Sequence, residues 1–437
     1  MTDTVEATTI TDDAVTEVTA WLEDNWDPEL TVAAWWERLG TAGWAAPALP
    51  ADAFGRGLGR SDAVRVQRAI ADHGALGAPG GLGLLLAAPT IAVHGTEEQK
   101  QRYVGDIVTG RQAWCQLFSE PNAGSDLAGL QCRAERDGDE WIINGQKVWT
   151  SGGQVADLGM LISRTEPDNP KHSGITYFAI DMHQPGIEIR PLREMTGRAL
   201  FNEVFLTDAR VPNDAIIGGL NNGWAVANTT LAFERAGLGA GGGSAAASMA
   251  TPGTVAGDLD KRAGDFTSGR RSGGGEGGPA SMFGAAETLL IELAKGNGKI
   301  GDATIRQRLM ELHTLNEIAR FTNLRMKGGQ DIPGAGNMAK LSMSRILKMS
   351  RDLGMDILGP TATLHAYDTK GREALNAAGA NPFGAMVTEM ALFSPGPSIY
   401  GGTDEIQHNV IGERVLGLPK EPNNDKTTPF KDLPKNS

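Results

Sequence analysis

Between Arg111 and Gly153 the residue types are those of a binding site. An apolar run, Ala113 to Phe118, stops abruptly at Ser119-Glu120-Pro121-Asn122-Ala123-Gly124-Ser125-Asp126, a loop of small hydroxyl, Gly and Pro residues. Such a loop exposes backbone N–H and hydroxyl donors, which suits a phosphate or a flavin ring. Further on, Trp149, Thr150 and Ser151 set an aromatic wall beside two hydroxyls. Each of these residues taken alone also fits an ordinary antiparallel sheet with polar loops, so the specificity lies in their order.

The elements that must position these groups follow from hydrophobic period. Leu130, Cys132 and Ala134 alternate with polar residues as in a half-buried strand, and Asp137-Gly138-Asp139 turns the chain. Trp141 to Ile143, an Asn144-Gly145 turn and Lys147 to Ser151 then predict a tight hairpin. Leu158 to Ser163, Ile175 to Met182, Ile187 to Pro191 and Asn202 to Phe205 are strand-like, with Pro185-Gly186 as a turn. So many short strands in about 100 residues predict a compact antiparallel barrel or sandwich.

Helical period surrounds this region. Val15, Val18, Trp21 and Leu22, then Val32, Trp35 and Leu39, then Ala63 to Ala71 and Gly83 to His94 predict an N-terminal helical domain over 1–112. After the β domain at 113–214, Ala225 to Arg235, a stripe from Ile305 to Ile318, another from Met338 to Ile357 stopped by Gly359-Pro360, and Asp404 to Val415 predict a C-terminal helical bundle over 215–437. The fold class is therefore α+β and multidomain. A polar Pro/Asn/Lys tail closes the chain and reads as flexible. Residues 236–280 are dense in Gly, Ala and Ser and predict a long mobile loop. Gly237, Gly239 and Gly242 inside it match G-x-G-x-x-G, but without a preceding strand the pattern carries no dinucleotide site.

Composition bounds the partners. At 437 residues the chain is long enough for two or three domains. Its net charge of -13 leaves no basic surplus for nucleic-acid phosphates. Met1 to Asp13 is polar and acidic without the apolar core of a signal segment, and no long apolar run occurs, so a cytoplasmic protein with no membrane insertion is expected. The two cysteines, Cys115 and Cys132, both fall on expected strands and read as buried thiols in a reducing compartment rather than a disulfide. No Cys/His cluster has metal spacing, so no metal is expected, and the seven histidines are scattered.

Taken in order, the apolar strand, Ser119 to Asp126, and Ile143-Asn144-Gly145-Gln146-Lys147-Val148-Trp149-Thr150-Ser151 resemble the acyl-CoA dehydrogenase family, with its S/T-E-P-x-x-G-S-D and I-N-G-x-K-x-W-x-S/T patterns. His94 to Lys100, Met195-Thr196-Gly197-Arg198, Val211 to Asp214 and Ile399-Tyr400-Gly401-Gly402-Thr403-Asp404-Glu405-Ile406-Gln407 extend the resemblance over nearly the whole chain, except about Gly237 to Gly298. It implies an enzyme that uses FAD to convert an acyl-CoA thioester to the trans-2-enoyl-CoA: the α-proton goes to a base and the β-hydrogen leaves as hydride to flavin N5. An electron-transfer flavoprotein as acceptor and a homo-oligomer, dimer or tetramer, are implied with it. Carried over by position, Gln116, Phe118, Ser119, Ser125, Trp149 and Ser151 line the flavin, with Ser151 near N5, while Thr403 and Glu405 approach from the C-terminal domain. The family's arginine from a neighbouring subunit has no counterpart in Ala294 to Lys299.

The base departs from the commonest pattern. Many members carry Glu directly after the Tyr of the C-terminal motif, where this chain has Gly401. A branch of the family places Glu instead on the helix after G-W/F, before an Arg, and Glu234-Arg235 occupies that position. Glu234 is thus the expected base, although by composition alone it also reads as a solvated helix charge. The backbone N–H of Gly401 is left to polarise the thioester carbonyl. Two alternatives stay open: a same-fold oxidase that passes electrons to oxygen, and a non-catalytic FAD- or CoA-binding subunit, against which the presence of Glu234 speaks.

Overall fold

The computed structural model describes residues 13–239, 257–267, 286–327, 330, 332–381 and 383–434. They cluster in two compact units, one made of the residues up to Ala113 together with 257–267, the other of the remainder.

The first unit is helical. Asp13–Asn25, Val32–Thr41, Arg60–Asp72 and Ala88–His94 are its main helices. Their apolar stripes bury Val18, Leu22, Trp35, Trp36, Leu39, Val66, Ile70 and Ile91. The two indoles also satisfy their polar ends, Trp35 Nε1 donating to the Leu76 carbonyl at 2.7 Å and Trp36 Nε1 to the Gly77 carbonyl at 2.9 Å. Thr31 caps the second helix by accepting from the Ala34 amide. Within the expected mobile segment, residues 257–267 are fixed: the Val32 amide donates to Lys261, the Ala33 amide to Leu259 and the Ala263 amide to Leu30, and Ala263 is buried. Local composition missed these backbone bonds because their partners lie far away in sequence. Most of the rest of 236–280 lies outside the described residues.

The second unit contains the sheet and the later helices. The strands are β1 Trp114–Leu117, β2 Arg133–Asp137, β3 Glu140–Ser151, β4 Leu158–Arg164, β5 Ile175–Asp181, β6 Ile187–Leu192, β7 Phe201–Pro212 and β8 Ile216–Ile217. Their order is β6-β7-β3-β2-β4-β5-β8, with β1 added on β4. Helices at both ends and a sheet in the middle are as expected, but the sheet is mixed and not closed. β5 covers one edge of β4 along its whole length, so β1 and β2 share the other edge, both parallel to β4. The Ser119–Asp126 loop is the excursion the chain makes between them.

The expected Asn144-Gly145 hairpin does not form. The turn is at Gly138, φ 64°, and β3 runs unbroken for 12 residues through the Asn-Gly pair. Tertiary contacts override the local turn signal. The Asn144 amide group donates to Asp208 Oδ1 and its oxygen accepts from the Asp208 amide, each at 3.0 Å, pinning a bulge in β7 where Asp208 has φ 52°. A Cβ on Gly145 would lie 2.7 Å from Cys132 Cα, so glycine is required by close approach. Cys115 lies in β1, whereas Cys132 sits just before β2; both are free and buried.

The helix Gly223–Gly239 packs on β5, and Gly223 makes this possible: a Cβ there would meet the Thr176 carbonyl carbon at 2.5 Å. Beyond it, Ala286–Gly296, Ala303–Lys327, Ala335–Leu358 and Gly384–Phe393 share a core of Leu290, Leu293, Leu312, Leu353, Ile357 and Val387. The first and last of these helices were not read from the sequence. The C-terminal tail, expected to be flexible, returns to the sheet, where Pro429 bridges Pro170 and Phe430 is buried. Among the described residues no helix is long and apolar enough to cross a membrane.

Gly145→Ala should lower stability by about 1–3 kcal/mol, the usual cost of overpacking, because backbone rather than a flexible chain end must yield. Urea denaturation checks this; an unchanged midpoint would contradict the close-approach argument.

Candidate functional site

The loop Ser119–Asp126 is fixed by a charge turned inward. Glu120 is buried, and its Oε2 accepts from the Gln131 amide at 2.7 Å while Oε1 accepts from the Cys132 amide at 2.9 Å and from Lys147 Nζ at 2.8 Å. Lys147, fully buried in β3, also donates to the Phe118 carbonyl at 3.1 Å. One lysine therefore holds both ends of the Phe118–Glu120 corner, and the Val148 amide adds a bond to the Ser119 carbonyl at 2.9 Å. With Glu120 inside, Ser119 is half-buried and Ser125 exposed. Asp126 ends the loop on Lys171 Nζ at 2.6 Å.

The end of β3 carries a second bulge. Between Lys147↔Val204 and Thr150↔Asn202 one extra residue is inserted in β3, and Trp149 there has φ 62°. A bulky side chain in that left-handed region costs roughly 1–2 kcal/mol. The indole is nevertheless 59% exposed, resting edge-on against Phe201 at 5.9 Å. Strain and exposure together are unusual for an indole that only packs. Ser151 is half-buried beside it. Thr150 was expected on the same wall, but it is fully buried and faces inward, because neighbours on a strand alternate sides; Asn202 Nδ2 donates to its carbonyl at 2.9 Å. Among the described residues the hydroxyls of Ser119, Ser125 and Ser151 make no hydrogen bond. An exposed indole face and uncommitted hydroxyl donors are groups of the kind that fit a flavin ring.

Glu234 projects from the helix Gly223–Gly239 one turn beyond Thr230. Thr230 is buried and meets the Tyr177 hydroxyl at 3.4 Å, and Tyr177 in turn packs edge-on against Phe118 at 5.9 Å. These contacts bring Glu234 over β1, where Gln116 Nε2 lies 3.5 Å from its Oε2. Burial raises the Glu234 pKa above the ordinary value, against the opposing effects of Gln116 and the charge of Arg235. It is half-buried, not a solvated helix charge. Arg235 is itself lowered by burial, held up by Glu234 and lowered further by Arg414.

The C-terminal motif is a turn held from behind. Gly401 and Gly402 have φ 65° and 80°, and Gln407 Nε2 donates to both carbonyls at 2.8 and 3.2 Å, while Asn337 fixes its oxygen at 2.6 Å. Among the described residues neither glycine amide donates a hydrogen bond. Thr403 caps the helix Asp404–Val410 by accepting from the Ile406 amide, and Glu405 is exposed. Asp404 lies between Lys340 at 2.9 Å and Lys348 at 3.2 Å; burial acts to raise its pKa, but the hydrogen bonds from Lys340, Ser344 and Lys348 prevail and bring it to about 2.

The structure thus joins Gln116, Phe118 and Glu234 in one cluster and links it through Lys147 to the strand bearing Trp149 and Ser151. Among the described residues, Gly401, Thr403 and Glu405 share no hydrogen bond or ion pair with that cluster. The sequence reading gave no role to Glu120, Lys147, Tyr177, Thr230 or Gln407. The five residues are visible as supports only in three dimensions. Among the described residues no group of His, Cys, Asp or Glu forms a metal site.

Comparison with known proteins shows the family to which the chain is similar along its length. The chain matches the family models for the acyl-CoA dehydrogenase N-terminal domain at residues 6–111, middle domain at 115–209 and C-terminal domain at 291–416. The acyl-CoA dehydrogenase IpdE1 of Mycobacterium tuberculosis strain H37Rv is 34% identical over 391 residues, covering 89% of this chain and 88% of its own. A cyclohexane-1-carbonyl-CoA dehydrogenase of Syntrophus aciditrophicus is 33% identical over 143 residues, covering 32% of this chain and 37% of its own. Among solved structures, the ChsE4-ChsE5 complex of Mycobacterium tuberculosis aligns with TM-score 0.64 at 26% identity, over 96% of this chain and all of that one.

Lys147→Met should cost about 3–5 kcal/mol, because it strands the Glu120 charge in the interior. Adding Glu120→Gln should recover part of the loss, since the buried charge is then gone. Urea denaturation of the three variants decides; additive losses would refute the pairing as the source of stability.

Proposed function

The chain belongs to the acyl-CoA dehydrogenase family, and from that premise we propose that it desaturates a bulky acyl-CoA at the α,β bond with Glu234 as base and FAD as redox cofactor. That it is an oxidoreductase acting on acyl-CoA follows from the family itself. The observation carrying the finer reading is Glu234 held over β1 against Gln116, with its pKa raised by burial.

When bound, FAD supplies the acceptor for the β-hydrogen and its electron pair; Trp149, Ser151, Ser119 and Ser125 would hold it. Glu234 takes the α-proton on a carboxylate oxygen, and the electrons of the broken C–H bond form the new double bond as the β-hydrogen leaves. A carboxylate with a raised pKa is better matched to a weakly acidic carbon than an ordinary one. Gln116 holds the carboxylate in place. The free amides of the Gly401-Gly402 turn, fixed by Gln407, are suited to the thioester oxygen, whose negative charge grows in the transition state.

The absence of a side chain at Gly401, where many family members carry glutamate, favours a branched or ring-bearing acyl group over a short straight one. The name of the Syntrophus relative agrees with a ring. Electrons pass on to an electron-transfer flavoprotein; rapid oxygen consumption without added acceptor would instead mark an oxidase. Ile318, Phe321 and Leu324 are exposed along one side of the helix Ala303–Lys327 and support self-association. Light scattering tests this, against a complex of two different chains as in ChsE4-ChsE5.

Anaerobic bleaching of bound flavin by butyryl-CoA, a long straight-chain acyl-CoA and a cyclic acyl-CoA tests the substrate reading; fastest reduction by butyryl-CoA would refute it. Glu234→Gln should retain FAD but slow bleaching by about 10²–10⁴-fold. The acid limb of the wild-type rate should lie above the ordinary glutamate value of 4.5, because the base must be ionised. Since the folded pKa is raised, the group's contribution to stability is present at low pH and lost as pH rises through the folded value. Glu234→Gln should therefore be the more stable protein at neutral pH, with the advantage vanishing in acid, as thermal melts at several pH values would read.

A further inference from the structure

The tail after the last helix is exposed from Leu416 to Asn424 and then docks. Pro429 bridges Pro170, the Phe430 amide donates to the Asn169 carbonyl at 2.9 Å and the Lys431 amide to the Pro167 carbonyl at 3.0 Å. The Lys431 side chain pairs with Asp168, and two further side-chain contacts, from Phe430 and Asp425, converge on the groups that hold the far end of the Ser119–Asp126 loop. Phe430, 6% exposed, lies under the Arg164 guanidinium at 3.7 Å. Arg164, 4% exposed, donates to the carbonyls of Ala128 and Lys171, each at 2.6 Å. Lys171 Nζ binds Asp126 of the loop at 2.6 Å and reaches Asp425 of the tail at 3.5 Å.

We propose that residues 425–433 are a latch on the cofactor loop, with Phe430 and Asp425 as positioning residues that act on it through Arg164 and Lys171. The inference rests on the reading of that loop as part of the FAD site. Lys147 fixes the loop at Glu120, but its other end depends on Arg164 at Ala128 and Lys171 at Asp126. Arg164 and Lys171 are both buried cations, and the tail supplies an aromatic face for one and a second carboxylate for the other. Without the tail, Arg164 loses its cover, gains water and releases the Ala128 carbonyl. The loop then samples open conformations, and a ligand that needs it ordered must supply the ordering. Burial already drives the Arg164 pKa down to about 10, against the charges of Glu120 and Asp126.

The test compares the full chain with Phe430→Ala, Phe430→Tyr, Asp425→Asn and a chain ended after Asn424. Two quantities are read: hydrogen exchange of the amides from Ala123 to Cys132 in FAD-free protein, and FAD affinity by flavin fluorescence. Phe430→Ala and the shortened chain should speed exchange there and weaken FAD binding about tenfold, the scale of a desolvated cation–π contact. Phe430→Tyr should restore both, because it returns the ring under Arg164. Asp425→Asn, a mild change at a half-buried position, should show a smaller shift in the same direction and keeps the test decisive if the Phe430 variants do not fold. Exchange and affinity within about twofold of the full chain in every variant would overturn the latch. If the full chain takes up no FAD, the cofactor reading falls, while the exchange of the loop still decides the latch.

Discussion

The buried Lys147–Glu120 pair is the constraint on which the rest of the site depends. An ion pair removed from water is a weak source of stability by itself, because desolvation offsets most of the attraction. Its value here is geometric. Lys147 sits in the middle of β3 and reaches both the Phe118 carbonyl and the Glu120 carboxylate, while Glu120 takes two amides that lead into β2. The ends of β1 and β2 and the middle of β3 are thereby fixed to one point. The loop between β1 and β2 therefore has Glu120 inside, Ser119 half-buried and Ser125 and Asp126 outside.

Regularity is given up twice in β3 and β7, each time to aim a side chain. The bulge at Asp208 is stabilised by Asn144 and lets β3 pass Cys132 closely at Gly145. The bulge at Trp149 turns an indole outward that a regular strand of this pattern would have buried or paired. Strain at such positions persists only where neighbours over-determine it. Here those neighbours are the fully buried Lys147 two residues before and Asn202 opposite Thr150.

Much of this was legible in the sequence because the motif residues are contiguous and the hydrophobic period is clear on both sides of the sheet. What was not legible has physical causes. Asn144-Gly145 carries the strongest local hairpin signal, yet both residues are used for long-range contacts. Thr150 was grouped with Trp149 and Ser151 because they adjoin in sequence, and strand alternation separates them. A mixed, open sheet was missed because period two gives faces but not partners; only the sharing of one β4 edge by β1 and β2 fixes the direction. The docked tail reads as polar and loose because its one buried apolar side chain, Phe430, and its ionic partners all depend on residues remote in sequence.

On the proposed reading, the location of the base follows from the same economy of rigid supports. Gly401 has φ 65°, so a glutamate at that position would have to hold a long, flexible side chain on a backbone that favours glycine, at a cost of roughly 1–2 kcal/mol. Position 234 has no such handicap. The helix that carries it is set on β5 by the Gly223 close approach and by Thr230 against Tyr177, so a residue one turn further on inherits a fixed position over β1. Gln116 then meets the carboxylate from the strand that leads into the loop. On the proposed reading the base and the cofactor loop are therefore positioned by the same short strand, and moving the carboxylate from turn to helix frees the glycine turn to act through its backbone alone.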